Sequence, residues 1–236
     1  MQNDGRPAGA SATVRRAALG QTLPIALGYV PVGMAYGVLA GKAGLCAVNV
    51  LAMSVLVYAG SAQLVAVGLF AAGASGLSIV ATTFAVNLRH VLFSAAMAPL
   101  LSGWRKRELA AFAFELTDET FALHAARFGR GDRDKARTLS INVLAQASWV
   151  AGTALGVLLG DVLGDGRAFA LDFALPGMFV ALLAGQLKGP SHVAAALAGA
   201  GLSLLAALHG ASGFGTLGAG LAGAACGTMV AAWKRS

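Results

Sequence analysis

The sequence predicts an all-α, polytopic integral membrane protein with about eight (seven to eight) transmembrane helices, some broken at mid-membrane. Three observations carry this expectation. Of the 236 residues, 57% are hydrophobic and only 11% charged, whereas soluble domains carry about 25% charged residues. Long uncharged runs alternate with short basic segments, and the mean hydropathy is +0.73; spanning helices give this pattern, and barrels give a much weaker alternation. Many of the 32 glycines recur four residues apart, the spacing that lets membrane helices approach closely. The net charge of +7 does not call for nucleic acid, because the basic residues flank apolar runs, where positive-inside bias accounts for them. Cys46 and Cys226 have no metal-ligand spacing and form no disulfide framework. No metal and no cofactor are expected.

Residues 1–18 read as a basic tail on the cytoplasmic side, and 19–236 as a single transmembrane domain. Span 1, Leu19 to Gly41, is longer than a signal-peptide core and reads as retained. It holds Pro24, Gly28, Pro31, Gly33, Gly37 and Gly41. Pro31 frees the Leu27 carbonyl, so a break around Gly28, Pro31 and Gly33 is expected; a packing kink is the plainer alternative. Span 2, Leu45 to Ala71, centres on Tyr58-Ala59-Gly60-Ser61-Ala62-Gln63. These polar groups suit either interhelical hydrogen bonding or a second break.

Span 3, Leu77 to Leu101, carries Asn87-Leu88-Arg89-His90 in an otherwise uncharged run. At ~1.5 Å per residue, Arg89 lies roughly 18 Å into a ~30 Å slab. A lone arginine at that depth needs a partner and marks a functional site by default. On a regular helix Asn87 and His90 share a face and Arg89 points elsewhere. Span 4, Glu108 to Phe128, sets Glu115, Asp118 and Glu119 on one face if the helix is continuous. It reads either as spanning or as a solvated surface helix. Spanning places 11 Lys and Arg on the N-terminal side and five opposite, with Arg89 left in the membrane, a modest positive-inside bias.

Span 5, Leu139 to Leu163, has a ridge of Gly152, Gly156 and Gly160. Span 6 (Phe173 to Leu187) follows an acidic loop and contains Pro176-Gly177. Span 7 runs from His192 to Leu208. Span 8, Phe214 to Trp233, carries Gly223 and Gly227 and ends on a Trp-Lys-Arg anchor.

Spans 1 to 4 thus place cost-bearing residues near their midpoints, which points to one shared polar cavity. Arg89, Asn87, Tyr58, Ser61, Gln63, Asp118 and Glu119 are the candidate substrate-binding residues. His90, Asp118 and Glu119 are candidates for carrying a coupling proton. One cation facing carboxylates suits a zwitterion. The plainer reading is an internal Arg89–Asp118 or Arg89–Glu119 bridge that binds nothing. No Walker motif is present, and Gly60-Ser61-Ala62 is no nucleophile signature, which leaves little for an intramembrane enzyme. A structural or regulatory subunit that needs a partner is the other alternative.

The segments Tyr58-Ala-Gly-Ser-Ala-Gln63, Asn87-Leu-Arg-His90 and Thr117-Asp-Glu-Thr-Phe121, with the Leu23 to Gly33 opening, resemble in order the AzlC-type branched-chain amino acid permeases, large subunits of two-component exporters. Leu64 and Phe93 stand where that family commonly has Phe and often has Tyr. The resemblance implies export of leucine, isoleucine and valine across a bacterial inner membrane, together with a small AzlD-type membrane partner.

Overall fold

The computed structural model describes residues 8–160, 189–209 and 213–233, with a few isolated positions between 180 and 187. Its elements are helical and form two compact units, Met1–Ala174 and Leu175–Ser236. The acidic loop and most of the predicted sixth span lie outside the described residues.

In the first unit α1 (Ala8–Lys42) is followed by α2 (Ala47–Leu56), α3 (Gly60–Ala71) and α4 (Gly76–Met97), which ends in a 3-10 turn, Ala98–Leu101. Then come α5 (Lys106–Phe114), α6 (Asp118–Gly129) and α7 (Lys135–Leu159). Glycines with φ near +70° to +87° turn the chain after α1 and α3, at Gly44 and Gly73, a region open to Gly at no steric cost. Local caps start the later helices. Ser75 Oγ accepts from the Ser78 amide, and Asp134 Oδ1 accepts from the Arg137 amide at 2.7 Å, each satisfying a donor the helix leaves free. Glu108 Oε2 accepts from the Arg105 amide and from Lys135 Nζ, both at 2.8 Å. That carboxylate joins the start of α5 to the start of α7.

The centre of the unit is the α1–α7 pair. Gly33 and Gly37 of α1 meet Gly152 and Gly156 of α7 so closely that a Cβ added at Gly33 would lie 2.8 Å from the Trp149 carbonyl oxygen. One added at Gly152 would lie 2.5 Å from that of Val30. The third glycine of each predicted ridge, Gly41 and Gly160, takes no part in this contact; both line a cavity of about 250 Å³ with Lys42 and Val50. Residue numbers rise together along the contact (Gly33 with Trp149, Gly37 with Thr153), so α1 and α7 run parallel. If both span, the chain must cross an odd number of times between them. Crossings by α2 with α3, by α4, and by α5 with α6 would supply three, in accord with the charge distribution.

Two features of the predicted helices are corrected. The break expected at Gly28, Pro31 and Gly33 is absent: α1 is continuous from Ala8 to Lys42, with Pro24 and Pro31 inside it. Gly28 and Pro31 lie on its exposed side, and Gly33 is buried against α7. Spanning helices tolerate prolines where small local backbone adjustments accommodate the ring and the freed carbonyl. Pro31→Ala is therefore expected to leave the thermal midpoint in detergent unchanged or raised, since it restores one helix hydrogen bond. Span 4, in contrast, is not one helix. It stops at Phe114 and restarts at Asp118, so Glu115, Asp118 and Glu119 do not share a helical face. Span 2 is broken too, with Val57 to Ala59 between α2 and α3.

In the second unit α8 (Pro190–Leu208) and α9 (Gly213–Trp233) pair closely. A Cβ at Gly223 would meet Gly199 at 2.7 Å, and one at Gly227 would meet the Ala195 side chain at 2.7 Å. Numbers rising on one helix fall on the other, so the pair is antiparallel.

Candidate functional site

The two broken spans bring two helix N-termini to one arginine. The α3 helix begins at Gly60 behind Ala59, whose side chain offers no cap. The α6 helix begins at Asp118 behind Thr117, which caps it: Thr117 Oγ1 accepts from the Thr120 amide at 3.3 Å, and Thr120 Oγ1 accepts from the Thr117 amide at 2.8 Å. Arg89, on the unbroken α4, donates from Nη1 to Asp118 Oδ2 at 3.0 Å. From Nη2 it donates to Ser61 Oγ, in the first turn of α3. The Arg89 and Asp118 side chains are 25% and 16% exposed, so the pair is shielded without being sealed. Arg89 Nε is buried with no hydrogen-bond partner among the described residues.

Each helix N-terminus carries about half a positive charge. Two such ends beside a guanidinium make a focus of positive potential that Asp118 offsets only in part, and such a focus attracts a carboxylate.

A second layer lies behind Asp118. The Tyr29 hydroxyl, on α1, donates to Glu119 Oε2 at 2.6 Å and also bonds Thr117 Oγ1 at 2.6 Å. The Tyr29 ring meets Tyr58 edge-on at 6.4 Å and Trp149 edge-on at 5.6 Å. Tyr58 occupies the α2–α3 break with φ +43°, a backbone state that costs a non-glycine residue about 1–3 kcal/mol. It is 3% exposed, and its hydroxyl has no hydrogen-bond partner among the described residues.

The other predicted residues divide. Gln63 is a brace: Nε2 donates to Ser54 Oγ at 3.1 Å, and Oε1 accepts from Trp149 Nε1 at 3.1 Å. Ser54 in turn bonds Thr153 at 2.8 Å, so α2, α3 and α7 are held as one block. Gln146 Nε2 donates to the Val55 carbonyl at 3.0 Å, satisfying one of the acceptors that the end of α2 leaves open. Asn87 Oδ1 is buried and has no hydrogen-bond partner among the described residues. His90 is half-buried with its ring 5.9 Å from Phe93, and no hydrogen bond joins it to Arg89, Asp118 or Glu119. The α4 helix stays regular through this stretch, so Arg89 serves other neighbours than Asn87 and His90, which share a face.

Sequence reasoning did not single out Tyr29 and Trp149 as parts of the site. The available signal was their spacing: Tyr29 precedes Gly33 by four residues and Trp149 precedes Gly152 by three, which puts both on the glycine ridges.

A buried network farther along α6 was missed as well. Arg127, one of the 11 basic residues assigned to the N-terminal side, is 1% exposed. Its Nε and Nη2 donate to the two oxygens of Asp132, each at 3.1 Å. Its Nη1 donates to Thr138 Oγ1 at 3.2 Å and approaches His124 Nδ1 at 3.4 Å. His124 Nε2 lies 2.7 Å from Asn142 Oδ1. Because Arg127 only donates, His124 Nδ1 accepts and its Nε2–H donates to Asn142.

The hydrogen bonds from Arg127, first, hold the Asp132 carboxyl below the usual carboxylate range. A depressed folded pKa gives stability that is present above the unfolded value, about 3.9, and is lost as pH falls through the folded one. Asp132→Asn is expected to remove this acid-side loss. It should also lower stability at neutral pH by roughly 2 kcal/mol, because Arg127 stays buried with its charge unmatched. Thermal midpoints across pH 3 to 8 check both signs.

The chain matches the family model described as "AzlC protein" over residues 24–163. It is 34% identical over 234 residues to the inner membrane protein YgaZ of Escherichia coli (strain K12), covering 96% of this chain and 92% of that protein. It is 34% identical over 210 residues to an uncharacterized membrane protein of Archaeoglobus fulgidus, covering 88% and 91% of the two chains. With the branched-chain amino acid transport protein AzlC of Bacillus subtilis (strain 168) it shares 29% identity over 191 residues, 80% of this chain and 74% of that one. No solved structure matches the chain.

Proposed function

The chain belongs to the AzlC family and is a multi-pass membrane protein with a role in transport; from that premise we propose that it is a secondary transporter exporting branched-chain, hydrophobic amino acids across a bacterial inner membrane. The observation that carries the reading is Arg89 between the N-termini of α3 and α6, bridged to Asp118 and Ser61 and keeping one buried donor, Nε, unpaired. A structural bridge has no use for that donor. A substrate carboxylate does, because it can take Nε and Nη2 side by side by displacing the Ser61 hydroxyl. Half-helices that end at the depth of a charged residue are how many transporters build a midplane site.

Export driven by the proton gradient, an N-terminus on the cytoplasmic side and a small AzlD-type membrane partner complete the proposal. Asp118, Glu119 and His90 are the groups available for the proton.

The test is efflux from preloaded proteoliposomes containing the full chain, with and without a small partner subunit. Leucine or valine efflux that responds to an imposed pH gradient is the expected result. If the chain inserts but neither binds nor moves these amino acids even with the partner present, it is a structural or regulatory subunit and the transporter reading fails.

A further inference from the structure

The two acidic residues at the start of α6 are adjacent in sequence, but the structure gives them different surroundings. Asp118 is taken up by the guanidinium of Arg89 at 3.0 Å. Glu119 has no ion-pair partner among the described residues. What holds it is neutral: the Tyr29 hydroxyl, 2.6 Å from Oε2 and fixed in turn by Thr117. A neutral donor orients a carboxylate and leaves its negative charge uncancelled.

Beside Tyr29 stands Tyr58, its ring edge-on to the Tyr29 ring, its buried hydroxyl close to that of Tyr29 but in no regular hydrogen bond among the described residues, its backbone held at φ +43° in the break between α2 and α3. Trp149 closes against Tyr29 at 5.6 Å. A half-buried carboxylate with unspent charge, a hydroxyl with free acceptor capacity and a wall of aromatic rings share one chemical complement, which is a compact cation with several N–H donors.

Resting on the transport reading above, we infer that Glu119, with the Tyr58 hydroxyl as second acceptor, takes the ammonium group of the transported amino acid, while Arg89, balanced by Asp118, takes its carboxylate. The division follows from the charges. Asp118 is needed to compensate Arg89 whether or not substrate is present. Glu119 has no such duty, so a substrate ammonium costs it no existing ion pair. Tyr29 is the positioning residue: it holds the Glu119 carboxylate from the α1 side.

The experiment uses the full chain in proteoliposomes, with any partner that efflux requires. It compares leucine with two analogues as competitors of labelled leucine: 4-methylpentanoate, which lacks the ammonium, and 3-methylbutylamine, which lacks the carboxylate. Glu119→Gln is expected to weaken leucine by roughly 10- to 100-fold, the loss of a hydrogen-bonded charge pair. It should weaken 3-methylbutylamine similarly and leave 4-methylpentanoate unchanged within about twofold. Tyr58→Phe, which keeps the ring and removes only the acceptor, is expected to shift the same ratio in the same direction by about threefold to tenfold.

The inference is overturned if either variant weakens all three compounds alike, as a merely structural role would. It is overturned equally if Glu119→Gln abolishes the pH dependence of efflux without moving the ratio, which would make Glu119 a proton site. Should Glu119→Gln not fold, Tyr58→Phe decides alone. Failure of the unmodified protein to bind leucine would instead remove the transport reading itself, so the two failures are told apart.

Discussion

Arg89→Ala is expected to reduce leucine efflux at least about 100-fold while the protein still reaches the membrane. Each hydrogen bond from a guanidinium to a carboxylate contributes about 1.5–3 kcal/mol, and two of them lost from the substrate give that factor or more. The substitution also leaves Asp118 unmatched at the N-terminus of α6, where the helix dipole and the Thr117 cap region soften the cost. Arg89→Lys is expected to lose most of the activity as well. An ammonium is a point charge, and it cannot hold Asp118 on one edge while presenting two parallel N–H groups on another. The double variant Arg89→Ala, Asp118→Ala separates the two readings of the pair. If the bridge only fixes packing, removing both partners returns folding and activity together, since an ion pair replaced as a unit is often neutral. If Arg89 holds substrate, the double variant folds and remains inactive. Efflux rates beside detergent thermal midpoints for the three variants give the answer.

The sequence made the pairing of Arg89 with an acidic residue at the start of α6 legible because the cost of a lone charge in an apolar run is local, and its remedy must be another charge at the same depth. Hydropathy likewise made the helical, membrane-spanning class legible, and the alternation of Tyr, Gly, Ser and Gln around position 60 left a break open. What could not be read from the chain depends on who lies opposite. Pro31 looks like a breaker in isolation, yet α1 runs through it unbroken. The real breaks fall instead at Val57 to Ala59 and Glu115 to Thr117, neither of which contains a proline. Tyr29 and Trp149 look like ordinary aromatic residues until the glycine ridges bring α1 and α7 together. Arg127 stands beside a basic loop, and only Asp132 and Thr138 folding back onto it reveal a buried side chain. Among the two acidic residues of α6, the sequence could not say which was the counter-ion and which was left with charge to spare.

Gly156→Val is expected to be the most damaging single substitution to the fold. The α1 and α7 helices touch backbone to backbone: a Cβ at Gly156 would overlap the Met34 carbonyl group, and one at Gly37 would lie 2.5 Å from the Thr153 oxygen. A flexible side chain could move aside, but a carbonyl inside a helix cannot, so the helices must separate. Overpacking costs typically 1–3 kcal/mol where side chains can adjust; against rigid backbone, about 3 kcal/mol or more is expected. The separation would also draw Tyr29 on α1 away from Trp149 on α7, so the wall beside Glu119 would be lost with the packing. The control is Gly41→Ala, on the partner helix α1, where nothing lies within 4 Å of the added carbon. It is expected to leave the midpoint unchanged or slightly raised, since alanine is the better helix former. Thermal midpoints and yields of monodisperse protein in detergent measure both. Equal damage from the two substitutions would mean that close approach to the neighbouring helix is not what selects these glycines. Damage confined to Gly156→Val would mean that the close approach of α1 and α7 is what selects these glycines.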